Sequence, residues 1–322
     1  VRRSPFLRSL AATGLLAGAA RVPAGAQDLP AITLATLIND TATSALYAVH
    51  AGLFRKAGLN AQLQVLSSGA AGAAAVAGGA AQFGLSSLVG VIAAHEKGIP
   101  FTLVAPAGVV TSDVPYSQFV VKADSPIKTG RDLNGKTIGA AGLKDMDTVA
   151  IMNWVDQNGG DSKTLRFIEM SGPVALAAIE EGRIDGADLN TPTLTRGLEG
   201  GKVRTLAQIF DAIAPRFSNT GWFTTTEYAT KNHDIVSRFA RVMGDAAAYC
   251  NAHHADTVSL VAENAKIDEK LVARMARITF GDYLRPAEIQ PLINVAAKYN
   301  VIAKPFDARA LISPFALKPP NA

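Results

Sequence analysis

The chain has 322 residues, is 48% hydrophobic and 18% charged, and carries a formal net charge of +4. That length exceeds what one core usually fills, so two domains are expected, and the lone Cys250 excludes an intramolecular disulfide. Arg2, Arg3, Arg8 and Arg21 all fall within residues 1–26, which hold no acid; the remainder balances at 27 basic and 27 acidic residues, and no nucleic-acid or anionic-membrane surface follows from charge.

Residues 1–26 begin with arginines, continue through an apolar run from Leu10 to Ala20 and end in Ala24-Gly25-Ala26. This is the layout of a cleavable secretory signal peptide, with an apolar run too short to span a bilayer. Arg2-Arg3-Ser4-Pro5-Phe6-Leu7 resembles a twin-arginine export signal with one residue too many, so the export route stays open. No cysteine stands at the cleavage point to take a lipid, and the expected product is a soluble periplasmic protein.

Downstream, apolar runs alternate with helical patterns. Ile32 to Ile38 reads as a strand, followed by Asn39-Asp40-Thr41 and a helix with Leu46, Val49 and Leu53 on one face, ended by Gly58. Ala61 to Leu66, Gln82 to Leu85 and Phe101 to Ala105 read as further strands, separated by an alanine-rich helix after Ser67-Ser68-Gly69 and a helix after Ser86-Ser87. Beyond Ser125-Pro126 the series resumes with strands at Lys136 to Gly139, Leu165 to Glu169 and Asp185 to Leu189. Its helices start at Asp147-Thr148 and Pro173. Strand-like runs at Gln118 to Lys122, Val203 to Ile209 and Gly221 to Thr225 flank this second unit. From Asp234 the pattern is almost wholly helical. Cys250 lies on an apolar face with Phe239, Val242, Met243 and Ala246 and reads as a buried structural thiol. Pro286 opens a last helix whose face is Ile289, Leu292, Ile293, Ala296 and Ala297.

Such alternation predicts an α/β class with right-handed crossovers and mostly parallel sheets. Lobe 1 is expected from residues 27–114 and 216–322 and lobe 2 from 115–215, with hinge crossings near Ser112 to Ser117 and Ile209 to Asn219.

Four ordered segments carry a resemblance: Ala51 to Leu59 (AGLFRKAGL), Gly69 to Ser87 (GAAGAAAVAGGAAQFGLSS), Arg131 to Gly139 (RDLNGKTIG) and Ala175 to Leu189 (ALAAIEEGRIDGADL). Together they resemble the nitrate, sulfonate and taurine group of ABC-importer binding proteins, which includes binders of thiamine pyrimidine precursors. The resemblance implies a type II periplasmic-binding-protein fold, two hinged α/β lobes with a ligand cleft between them. It also implies a non-enzymatic role, a membrane permease with its ATPase as partners, a small-molecule ligand, and no cofactor. A monomer is expected.

In open α/β sheets ligands settle beyond the carboxyl ends of strands, where helix N-termini offer free N–H groups. The candidate ends are Asp40-Thr41-Ala42, Ser68-Gly69-Ala70, Ser86-Ser87, and Gly142 with Asp147-Thr148. Each hydroxyl or carboxylate there is equally a plain helix cap, worth about 1 kcal/mol. Asp188 and Asn190 end a strand of lobe 2 and either offer a carboxylate and an amide to a ligand amine or ring nitrogen, or form a solvated strand end that caps the helix after Pro192. Trp222 and Phe223, with Tyr116 at the first crossing, offer a flat wall for a ring, and core packing is an equal reading for one of the first two. A small organic acid or sulfonate is the preferred ligand, with a thiamine pyrimidine precursor as the alternative; a carboxylate facing the cleft would count against a purely anionic ligand.

The enzymatic alternative is a pyrimidine-forming branch of the same group, which uses a histidine. His50 lies in the corresponding helix, but reads equally as a core or rim residue on the Leu46 face. His253-His254 does not converge on a metal, because adjacent helical residues point roughly 100° apart. No nucleophile elbow, H-E-x-x-H or Walker loop is present. A transcription-regulator effector domain is disfavoured by the missing DNA-binding helices.

Overall fold

The computed structural model describes residues 29–37, 39–66 and 68–318; the signal peptide expected at 1–26 lies outside the described residues. Among the described residues, thirteen strands form three sheets. In chain order they are β1 (Ala31–Thr36), β2 (Asn60–Val65), β3 (Phe83–Ser87), β4 (Phe101–Pro106), β5 (Gly108–Thr111), β6 (Ser117–Lys122) and β7 (Thr137–Ala140). There follow β8 (Arg166–Glu169), β9 (Gly186–Asn190), β10 (Val203–Ala207), β11 (Arg216–Ser218), β12 (Thr220–Thr225) and β13 (Thr279–Phe280).

The first sheet has the order β2-β1-β3-β12-β4 and the second β10-β6-β9-β7-β8. β1 pairs in parallel with β2 and β3, whereas β12 runs antiparallel between β3 and β4. The second sheet repeats this plan: β7 pairs in parallel with β8 and β9, and β6 runs antiparallel between β9 and β10. Each sheet therefore holds one reversed strand, the strand that follows a crossing between lobes. This is the two-lobed α/β architecture of the type II periplasmic-binding-protein fold.

The crossings are themselves strands. β5 and β11 pair antiparallel, Arg216 opposite Thr111 through Ser218 opposite Val109, and β13 adds to the other side of β5. This hinge sheet was not anticipated, because its strands are two to four residues long and pair only across the fold. Close approach is built into it at Gly108, where a Cβ would stand 2.5 Å from Asn219 Oδ1 and 2.6 Å from the Ile278 side chain.

Burial follows the expected faces on the two long C-terminal helices, but the first helix, Thr43–His50, buries Thr43, Ser44, Ala45 and Ala48, while the expected Leu46, Val49 and Leu53 are part-exposed. β4 is buried along its whole length, as a strand covered on both sides must be. The long helix His233–Ala252 buries Val236, Phe239, Val242, Met243, Ala246 and Cys250 on one stripe. Phe83 and Phe239 stack at 3.9 Å between centroids, with Trp222 edge-on to Phe239 at 5.7 Å. The last helix, Pro286–Lys298, opens on proline and buries Ile289, Leu292, Ile293 and Ala296.

One ion pair ties distant parts of the first lobe together. The side chains of Asp40 and Arg277 are 7% and 6% exposed, and Arg277 Nη2 lies 2.7 Å from Asp40 Oδ1. Arg277 Nε also donates to Oδ1 (2.8 Å), the Ile278 N–H donates to Oδ2 (2.9 Å) and Thr43 Oγ1 donates to Oδ1 (3.1 Å). Removing the guanidinium alone would strand a buried carboxylate, which costs about 3–5 kcal/mol, whereas removing both charges together is far milder. Chemical denaturation of Arg277→Met is expected to show a loss of that size, with most of it recovered in Asp40→Asn/Arg277→Met. Equal losses in the two variants would contradict the strut.

Candidate ligand-binding cleft

The carboxyl ends of the central strands in the two five-stranded sheets face each other across a cavity of about 240 Å³. Asn39, Asp40, Thr41, Ser87, Asn219, Thr220 and Ile278 line it from the first lobe. Ser117, Ala141, Asp145, Met146, Asp147, Asn190 and Thr191 line it from the second, and Tyr116 and Phe210 close the hinge side. Across the space, Ser87 Oγ donates to Asp145 Oδ1 at 2.7 Å. Elsewhere Arg274 makes a two-point pair with Glu199 (2.6 and 2.9 Å), and Thr191 Oγ1 donates to the Ala276 carbonyl (3.0 Å). The lobes are thus held in a closed arrangement.

The structure sorts the expected residues. Asp40, Thr41, Ser87, Asp147 and Asn190 line the cavity. Ser86 does not: successive residues of β3 point to opposite faces, and Ser86 Oγ packs where a Cβ on Gly69 would come within 2.6 Å. Ser68 is exposed and caps the helix Gly69–Ala77 by accepting from the Ala71 N–H (3.2 Å), which leaves Ser68, Gly69 and Ala70 outside the cavity wall. Ala42 is buried in the core, with its N–H donating to the Asn39 carbonyl (3.2 Å). Trp222 is corrected: it is 0% exposed, packed under β12 against Phe239, and offers no wall to a ligand. Phe223 is equally buried. Tyr116 and Phe210 are the rings that reach the cavity, stacked at 6.4 Å and 21°.

The second-lobe helix begins one residue earlier than expected. It spans Met146–Gln157, capped by Asp145, which accepts from the Met146 N–H at 2.7 Å. Thr148 completes the capping box, accepting from the Asp145 N–H at 3.2 Å, and is fully buried. Thr148 therefore serves the cap and not the cavity; Gly142 lies behind it, beside the Asp145 side chain. Asp145, Ser117, Asn219 and Arg277 were missed. An Asp three residues before a Thr was the available signal for the first; the rest depend on pairings across the fold.

The electrostatics of the cavity are one-sided. Asp40, Asp145 and Asp147 line it, and no lysine, arginine or histidine does so among the described residues. Asp188 stands just behind, its Oδ2 accepting from Ser117 Oγ at 2.5 Å, while Oδ1 is sealed from solvent with no hydrogen-bond partner among the described residues. Loss of water raises the Asp147 carboxyl well above the usual carboxylate range, helped by the charges of Asp188 and Asp145. Burial pushes Asp188 up to about 6, against the pull of the Ser117 hydrogen bond. Burial also raises the Tyr116 phenol, with Asp188 and Asp147 adding to it, and Asn219 Nδ2 donates to its oxygen at 2.7 Å. Tyr116 thus remains an O–H donor.

Raised carboxyl pKa values mean that the folded protein holds protons the unfolded chain has released. Stability of the unliganded protein is therefore expected to fall as pH rises from about 4 through about 6. Asp147→Asn removes part of this conflict and is expected to stabilise the protein at neutral pH by about 1 kcal/mol and to flatten the decline. Denaturation midpoints across that range check both; a destabilised Asp147→Asn variant with an unchanged slope would contradict the carboxylate conflict.

Comparison with known proteins places the chain. The profile of the family described as NMT1/THI5 like matches residues 39–257. No curated protein matches the chain's sequence. Among solved structures, the periplasmic aliphatic sulphonate binding protein SsuA from Escherichia coli superposes with a TM-score of 0.73 at 18% identity, covering 91% of this chain and 95% of that one. The ligand binding component of an ABC-type import system from Staphylococcus aureus gives 0.75 at 15% identity, covering 88% and 97%. The desulfurization enzyme DSZB gives 0.65 at 15% identity, covering 88% and 96%. At such identities the structures share the fold alone, and the family assignment rests on the profile, which spans most of both lobes. The chain belongs to the NMT1/THI5-like family.

Proposed function

We propose that the protein is the solute-binding component of an ABC importer, exported to the periplasm by residues 1–26 and capturing a small organic solute between its lobes. The observation that carries this reading is a cavity of about 240 Å³ walled by both lobes and backed by a hinge of paired strands. Ligand contacts made from both sides exist only when the lobes are shut, so binding shifts the population toward the closed form. The closed form then docks on a membrane permease whose ATPase supplies the energy in trans, and the protein itself needs no cofactor. The names of the sulphonate-binding and import-system relatives support the same role. Residues 27–114 with 216–322, and residues 115–215, are taken as the two lobes of a monomer.

Catalysis is the second reading, because the fold also carries the enzyme DSZB. His50 counts against it here. It is exposed at the last position of the helix Thr43–His50, whose other end meets the cavity, so roughly 12 Å of helix separates it from a bound solute.

A thermal-shift screen over amines, amidines, carboxylates and sulfonates tests the reading. A binder at a hundred times its dissociation constant adds about 2.7 kcal/mol, and small-angle scattering should show it preserving or increasing compactness. His50→Ala is expected to leave the shift intact. If no compound raises the midpoint, or if a bound compound is turned over and His50→Ala abolishes that turnover, solute capture is wrong.

A further inference from the structure

We infer that the cleft selects a small organic cation with an ammonium or amidinium head, anchored by Asp147 at the cavity wall with the Asp188 charge behind it; this rests on the cavity being the solute site. The four carboxylates around the cavity are not equivalent. Asp40 is neutralised by Arg277 and also accepts from the Ile278 N–H and Thr43, so it offers nothing to a ligand. Asp145 accepts from the Met146 N–H and Ser87. Asp147 faces only the charges of Asp188 and Asp145, and no donor among the described residues offsets them. Asp188 Oδ1 is sealed in without a partner. Asp188 Oδ1 thus lacks the donor that a buried acceptor requires, and the part-exposed Asp147 carboxylate has no cation beside it among the described residues; a cationic head with several N–H groups supplies Asp147 with both charge and donors.

The second lobe's anion seat is taken as well. The N-terminus of Met146–Gln157, where a sulfonate or carboxylate would sit, already receives the chain's own Asp145 carboxylate. Asp147 follows in the same first turn, so an anion entering there meets like charge from both. On the hinge side the Tyr116 and Phe210 rings give the organic part an apolar surface, and an aromatic face attracts a cation. The organic acid or sulfonate preferred from sequence is therefore not carried forward.

An isosteric series of benzamidinium, benzamide and benzoate, together with alkylamines and alkylsulfonates of matched size, separates charge from shape. Binding is followed by thermal shift and calorimetry on the full chain at about pH 7.5, where free aspartates are ionised. Cations are expected to bind more tightly than their neutral and anionic counterparts. Their affinity should rise with pH and their binding should release protons, because the cation favours the ionised forms of Asp147 and Asp188. Asp40 with Arg277, Asp145, and the Tyr116 phenol are the other groups facing these two. Asp147→Asn and Asp188→Asn, each confirmed folded by circular dichroism, should weaken cation binding roughly tenfold or more. If a carboxylate or sulfonate binds more tightly than its matched cation, or if neither variant loses affinity, the charge assignment falls while solute capture stands. If no member of either charge binds, both fall.

Discussion

The protein places carboxylates in a closing crevice and provides no cation among its described residues to offset Asp147 and Asp188. Asp147 is only part-exposed at the cavity wall and one oxygen of Asp188 is sealed from solvent, and the Asp188 charge raises the Asp147 carboxyl further. Folding gains nothing from such an arrangement. The contrast with Asp40 is close at hand, since that carboxylate lies at the same cavity and is matched by Arg277 and further donors. Asp40 holds the scaffold together and Asp145 caps its helix, while Asp147 and Asp188 stand without a balancing cation, and perturbed groups of that kind gather at functional sites.

The scaffold explains how that crevice can open and shut. Each five-stranded sheet ends its central strands at the cavity, and the two sheets are joined through β5 and β11, paired side by side. A short antiparallel ribbon bends more readily than a packed core slides. Polar contacts between the lobes join Ser87 to Asp145, Thr191 to the Ala276 carbonyl, Glu199 to Arg274, and Lys298 and Tyr299 to Asn153 and Asp156. Exposed pairs such as Glu199 with Arg274 contribute little to holding the lobes together, about 0–1 kcal/mol.

Much of this was legible in the sequence. Strands at Phe101, Gln118 and Val203 and the helix opened by Pro286 announced themselves through apolar runs and a favourable first-turn proline. Asp40, Ser87 and Asp147 were found because polar residues after strands collect at one sheet edge. What failed did so for definite reasons. Ser86 and Ser87 are indistinguishable until strand alternation is fixed. Trp222 looks like a ligand wall in sequence but sits on the covered face of β12. Asp145 was passed over because the helix start was placed one residue late, which hides its cap. Arg277 could not be linked to Asp40 across 237 positions.

Titration of the aspartate carboxyls by carbon-13 NMR in the unliganded protein reaches the central claim directly. We expect Asp188 to titrate near pH 6 and Asp147 well above the ordinary carboxylate range, each moving down when a cation fills the cleft. Ordinary midpoints near about 4 for both would show that the crevice carries no unmet charge.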